Sequence, residues 1–432
     1  MTNTFPKNFL FTTLEAGGVV APVLAVARKL LAKGHFVRVM SDLASREEVE
    51  SAGAVFIPWT RAPSRPDRSR DTDYINDWDV AEPVEGLLRN IDTLMCGPSL
   101  AYAQDLIEEL NRESADLVIG LDLQPGVFVG CEAKRQNCVL LTQQLSLFPI
   151  PEIPPLGPGL PPAANDEERA EHAKASEELT ELFDHGLPAL NKARAALELA
   201  PLHHVSDQFL VARKRLLGTS RAFDFAPAQL PEGLEYVGPQ IGPVKWAGDW
   251  EAPSSKEDSR PLVAVAFSTT FQNHVGVLQR VIDAAARLPV RIIVTLGGVI
   301  SPSELNPPEN CTLLDAAPHD ALFSKTQLVV THGGHGTVMR AIIARRPMLI
   351  LPHGRDQNDN AVRIAHRGAG LVLPNLADVG EIEAAMSRLL NEPTFMENAE
   401  RLGRLVADEA ANSIVVDELC SLAAPNSQNF AA

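Results

Sequence analysis

Apolar runs recur along the chain at a steady pace, separated by stretches whose apolar residues fall at helical spacing. In the first half the runs are Phe9–Leu14, Phe36–Met40, Val55–Pro58, Asp116–Asp122 and Cys138–Thr142. In the second half they are Leu262–Phe267, Arg291–Leu296, Thr312–Leu314, Leu328–Val330 and Met348–Leu351. Runs this continuous predict strands buried on both faces, as in parallel sheets. Between them lie helical patterns such as Leu24, Ala25, Leu30 and Leu31, with Pro22 placed to open the helix and Lys33-Gly34 to end it. Strand and helix in alternation predict two α/β units with right-handed crossovers.

Three stretches break the rhythm. Residues 60–80 alternate in charge and predict a solvated loop; residues 148–162 are dense in proline and predict irregular chain. Residues 239–260 have linker composition. The expected organisation is a first domain over 1–238, a linker over 239–260 and a second domain over 261–410. A terminal helix over 411–424 is placed to cross back to the first domain, before a polar tail at 425–432. The patterns from Asp166 to His185 and from Pro188 to Leu199 predict a covering helical layer with charged outer faces. Two parallel-sheet domains joined by a linker leave a cleft, a common place for ligands.

The densest chemistry lies at Leu328–Asn360. A strand there runs into His332, Gly333, Gly334, Gly336 and Thr337, then a helix ending at Arg345-Arg346, then a strand followed by His353 to Gln357. Glycines at a strand-to-helix turn let backbone N–H groups approach an anion, so phosphate is the natural guest.

Composition narrows the guest list. Of 432 residues, 45% are hydrophobic and 22% charged, and the net charge of −17 excludes nucleic acid and anionic membrane as general partners. An anionic ligand must therefore be held by local donors. The five cysteines (Cys96, Cys131, Cys138, Cys311, Cys420) have no metal or disulfide spacing, which favours a reducing cytoplasm. No apolar stretch approaches the roughly 20 residues of a membrane helix, and none resembles a signal peptide. The pair His332 and His335 has no acidic third ligand at zinc spacing, so no metal is expected.

The run at His332, Gly334 and Thr337, followed after a gap by Asp356-Gln357, resembles the donor signature of family 1 UDP-glycosyltransferases, the natural-product and macrolide type. The resemblance extends to Pro318-His319, Val237-Gly238-Pro239 and Gly34-His35. It implies the GT-B fold: two Rossmann-like domains facing each other across a cleft. It also implies an inverting, metal-independent transfer of a hexose from a UDP- or dTDP-sugar to a small, largely apolar acceptor, without cofactor, by a monomer or homodimer. Carried over, His332 with Gly333, Gly334, Gly336 and Thr337 would hold the pyrophosphate. Ser268, Thr269 and Thr270 would give phosphate-side hydroxyls, Ala317 would line the donor pocket, and Asp356 and Gln357 would hold sugar hydroxyls.

The chain departs from the pattern at three places. Val19 stands where the family has its general-base histidine, which leaves Asp122 or Glu15 as the base; Asp122 is otherwise a strand-end hydrogen bonder. Arg340 replaces a ribose-binding glutamate, to reach phosphate or to lie on the surface. Ala316 replaces a base-stacking tryptophan. The missing histidine keeps two other readings open: a non-catalytic donor-binding partner protein, and a sugar-nucleotide epimerase.

Overall fold

A computed structural model describes residues 5–80, 82–242, 250–251 and 258–423. Most of the linker proper and the expected tail at 425–432 fall outside these residues. The first sheet contains β1 (Asn8–Thr12), β2 (Phe36–Ser41), β3 (Val55–Pro58), β4 (Leu117–Gly120), β5 (Cys138–Thr142), β6 (Arg215–Leu217) and β7 (Leu234–Tyr236). Its order is β3-β2-β1-β4-β5-β6-β7. The second sheet contains β8 (Leu262–Ala266), β9 (Arg291–Thr295), β10 (Cys311–Leu314), β11 (Leu328–Thr331), β12 (Met348–Ile350) and β13 (Gly370–Val372), in the order β10-β9-β8-β11-β12-β13. Every described pairing is parallel.

Both sheets therefore reverse direction at the same place in their order, between β1 and β4 and between β8 and β11. Ligands in open α/β sheets bind at such switch points, beyond the carboxyl ends of the strands. Strands β6, β7 and β13 do not stand out in the sequence pattern. Each has only three residues, too few for periodicity to separate from loop.

The strands are buried on both faces. Phe9 and Phe11 point into one core layer while Leu10 points into the opposite one. The first helix spans Val20–Ala32, so Pro22 lies inside its first turn, not at its start. Val20, Val23, Leu24, Ala27 and Leu30 form its buried stripe, and Gly34 ends it at φ +84°.

The two halves are tied together at several points. Helix Val415–Leu422 places Val415, Val416, Leu419 and Leu422 in the same core layer as Phe9 and Val23 of the first half. Polar bonds fix its ends: Lys33 to Asp417 at 2.7 Å, Lys214 to Glu418 at 2.6 Å, and Arg213 to the Leu422 carbonyl at 2.6 Å. Within the proline-rich stretch, the N–H groups of Gly157 and Gly159 donate to Asp359 of the second half at 2.8 and 3.2 Å.

Residues 60–80 differ from the solvated loop that their charges predict. Arg65 and Asp73 are buried, and the stretch reaches across to the second half. The Arg70 guanidinium lies 3.6 Å from the Phe271 ring centroid, and Trp78 meets Phe271 edge-on at 4.8 Å. Asp77 makes a two-point pair with Arg355 at 2.8 and 2.9 Å. Alternating charge marks a solvated face only when no second surface offers partners, and here the other half supplies them.

A candidate active site between two switch points

The turn after β1 and the loop after β8 touch. A Cβ on Gly17, whose φ is +70°, would stand 2.9 Å from the Thr270 methyl, so glycine is what allows this approach. Around this contact the structure assembles the predicted donor residues.

His332 follows β11 and is buried, with its ring stacked on Phe267 at 5.9 Å. Burial, reinforced by His274, His353 and Arg355 nearby, holds its pKa well below the ordinary histidine value, so the imidazole is neutral. Gly333 (φ +97°) turns the chain where a Cβ would press within 2.8 Å of Ile350, and a Cβ on Gly334 would meet the His332 ring at 2.7 Å. Helix His335–Ile343 then begins with no side-chain cap and no acidic residue in its first turn. Gly336 is exposed and Thr337 half-buried, so this positive helix end is open. His335 points elsewhere, with Nε2 2.8 Å from the Thr219 hydroxyl. Among the described residues no group of three His, Cys, Asp or Glu side chains could hold a metal.

A chain of hydrogen bonds links the remaining donor-side groups. Arg355 donates to the Thr270 hydroxyl at 3.2 Å, and Thr270 and Ser268 share a 3.0 Å bond. Gln272 donates to Ser268 at 2.8 Å, and Gln357 donates to Gln272 at 2.8 Å. Gln357 in turn accepts from the His353 N–H at 2.7 Å. Asp356 accepts from Asn360 at 2.8 Å and from the His335 N–H at the open helix end. Burial outweighs these bonds and raises its pKa. Thr269 is half-buried beside this chain, and Ala317 lies in the core under β8 and β11. Asp356 and Gln357 thus sit beside the glycine turn after β11, bonded inward to protein.

Sequence reasoning gave no role to Arg355, Gln272, His274 or His353, and found no partner for His353. Arg355 stands directly before Asp356-Gln357, and that adjacency was the available signal. Burial disfavours charge on both Asp77 and Arg355, yet pairing prevails, with Asp77 below and Arg355 above its ordinary pKa. Arg340 neither reaches phosphate nor lies on the surface. It is buried, bonded to Asp320 at 2.5 Å and to the Gly242 carbonyl at 2.7 Å.

The first half supplies the carboxylates. Glu15 accepts two bonds from Arg68, at 2.9 and 2.7 Å, and Arg68 also pairs with Glu48. The Glu15 carboxylate is thus already engaged by an arginine. Asp122 differs. It lies just past β4 beside Thr142, 4% exposed, with Oδ2 lacking any hydrogen-bond partner. Burial lifts its pKa to about 6, against the opposing pull of Thr142 and Arg215. Val19 is packed into the core beside Leu14 and Leu121 and takes no part in polar chemistry.

Comparison with known proteins agrees with this geometry. Residues 279–422 match the family model "Erythromycin biosynthesis protein CIII-like, C-terminal domain". Demethyllactenocin mycarosyltransferase of Streptomyces fradiae is 26% identical over 423 residues, covering 96% of this chain and 86% of the relative. The 4'-demethylrebeccamycin synthase of Lentzea aerocolonigenes is also 26% identical, covering 94% of this chain and 97% of the relative. Among solved structures, a calicheamicin glycosyltransferase superposes with TM-score 0.70 at 19% identity, covering 98% of this chain and all of that one. The glycosyltransferase VinC, solved with DTDP, superposes with TM-score 0.68 at 19% identity, covering 96% and 99%. The chain has the GT-B fold, its residues 279–422 match the erythromycin biosynthesis protein CIII-like C-terminal domain, and nearly its whole length is similar to named glycosyltransferases of natural-product pathways.

Proposed function

We propose that the chain transfers a hexose, with inversion, from a nucleotide diphosphate sugar held by the second half to a small acceptor held by the first. The observation that carries this reading is the meeting of two switch points, one rich in anion-binding donors and the other holding a carboxylate with a free oxygen. Asp122 Oδ2 takes the acceptor proton, directly or through one water. The acceptor atom then bonds to the sugar's anomeric carbon as the bond from that carbon to the phosphate oxygen breaks. The electron pair leaves with the nucleoside diphosphate. Neutral His332, the open helix end and Arg355 face the charge that develops there; such fixed donors contribute several kcal/mol where water is excluded. This donor set does the work of a metal, so transfer proceeds in chelator. Asp122 titrates close enough to neutrality to serve as a base, as general-base catalysis requires.

The test is transfer from UDP- and dTDP-sugars to an acceptor panel, alongside calorimetric titration with UDP and dTDP. The solved complex of VinC with DTDP makes dTDP the first to try. Binding of neither nucleotide would sink the donor assignment. Val19 favours one second reading, a donor-binding protein without turnover. Nucleotide binding with no transfer to any acceptor would select it.

A further inference from the structure

Two glutamines beyond the carboxyl ends of β4 and β5 are buried with nothing to bond. Gln124 is 0% and Gln143 6% exposed, and neither the oxygen nor the nitrogen of either amide has a hydrogen-bond partner. They flank Asp122. Strands β4 and β5 pair through Gly120 and Leu140, so Asp122 and Thr142 each lie two residues beyond the last matched pair. Gln124 and Gln143 follow on the two adjacent chains. The Tyr102 hydroxyl lies beside Gln124, and the Tyr102 and Thr13 hydroxyls are likewise buried without hydrogen-bond partners. The other buried glutamines behave differently. Gln208 bonds Arg194 and Glu132, Gln240 bonds the Val237 and Gly238 carbonyls, and Gln357 bonds Gln272 and His353.

A buried amide offers two donors and two acceptor sites, and leaving them unmade is costly. Native folds rarely keep such groups except where a function uses them. Here four unmade amide atoms belong to residues that follow Asp122 by two positions and its neighbour Thr142 by one, and Asp122 itself keeps an unpartnered carboxylate oxygen. Resting on the transfer reading above, we infer that Gln124 and Gln143 are acceptor-recognition residues, and that the acceptor presents an O–H or N–H conjugated with a carbonyl. Such a group offers a donor and an acceptor in one plane, which a flanking amide pair can match. An isolated alcohol on an apolar frame would leave most of these atoms unbonded. This changes the expected acceptor from largely apolar to one whose reacting end is polar. The chemistry agrees with the base: conjugation acidifies the proton that a carboxylate must remove.

The experiment measures acceptor binding to the full chain without donor, by tryptophan fluorescence. The probes are 4-hydroxyacetophenone and, similar in size, 2-phenylethanol. The variants are Gln124→Leu and Gln143→Leu, with melting temperature and dTDP and UDP affinity recorded beside them. The wild type should prefer the carbonyl-conjugated phenol. Each leucine variant should weaken its binding about tenfold to a hundredfold, keep nucleotide affinity within about twofold, and melt no lower than the wild type, because an unbonded amide has been replaced by an apolar group of similar size. Equal binding of both probes by the wild type, or unchanged binding by both variants, overturns the inference. A drop in melting temperature shared with lost nucleotide affinity also overturns it, by showing a structural role. Because the readout needs no donor, loss of the donor reading leaves this result intact.

Discussion

The two switch points share a topology and solve opposite problems. After β8 and β11, nearly every polar side chain is already bonded to another: Thr270 to Ser268, Ser268 to Gln272, Gln272 to Gln357. After β4 and β5, Asp122, Gln124 and Gln143 keep buried atoms without partners. A site whose guest always carries the same diphosphate benefits from donors fixed in advance, since no reorganisation is then needed as charge develops. A site that must recognise one acceptor among many keeps its bonds unmade, since an ill-fitting guest leaves them so. On the transfer reading, one half is rigid by satisfaction, and the other is selective by want of it.

The comparison can be broken most directly at Asp122. Asp122→Asn should lower transfer by about 10²–10⁴ while calorimetric UDP or dTDP affinity stays unchanged. With its pKa raised to about 6 by burial, Asp122 acting as the proposed base would be competent only above that pH. The pH profile of kcat/KM should therefore be flat above about 6.5 and fall about tenfold per unit below 6. A profile without that limb, or full activity in the asparagine variant, removes Asp122 as base.

On the donor side, His332→Ala should reduce kcat by about 10²–10³, the usual effect of losing one preorganised donor. A variant of unchanged kcat and unchanged nucleotide affinity would show that the fixed network acts without it. Arg355→Gln opens the bond to Asp77 across the cleft. It should cost about 1–2 kcal/mol in chemical unfolding and raise the donor KM more than it lowers kcat. Equal loss in Asp77→Asn would show that the pair, not the arginine alone, matters. The smallest effect is expected for Glu15→Gln. Transfer should change less than about fivefold, since Glu15 is held by Arg68, and a larger loss would return it to the list of candidate bases.

Much of the fold was legible because strands buried on both faces leave continuous apolar runs, and β1, β2, β8 and β11 show them plainly. The three-residue strands β6, β7 and β13 were not, because their identity comes from pairing and not from pattern. The tight turn after β11 was legible from Gly333 and Gly334, since a Cβ at either would meet Ile350 or the His332 ring. The partners of Glu15, Arg340 and Arg355 were not. Arg68, Asp320 and Asp77 lie 53, 20 and 278 positions away, and only folding brings them near. The unbonded state of Gln124 and Gln143 is equally invisible in one dimension, where every glutamine looks alike.

Helix Val415–Leu422 has a consequence for how the molecule comes into being. Its four apolar residues complete a core layer whose other members are among the earliest made, including Phe9, Phe11 and Val23. A ribosome adding roughly 5–20 residues per second finishes β7 on the order of ten seconds or more before this helix is made. Throughout that interval the first half exposes the seat of a helix not yet synthesised, and the core layer begun first is the last to close.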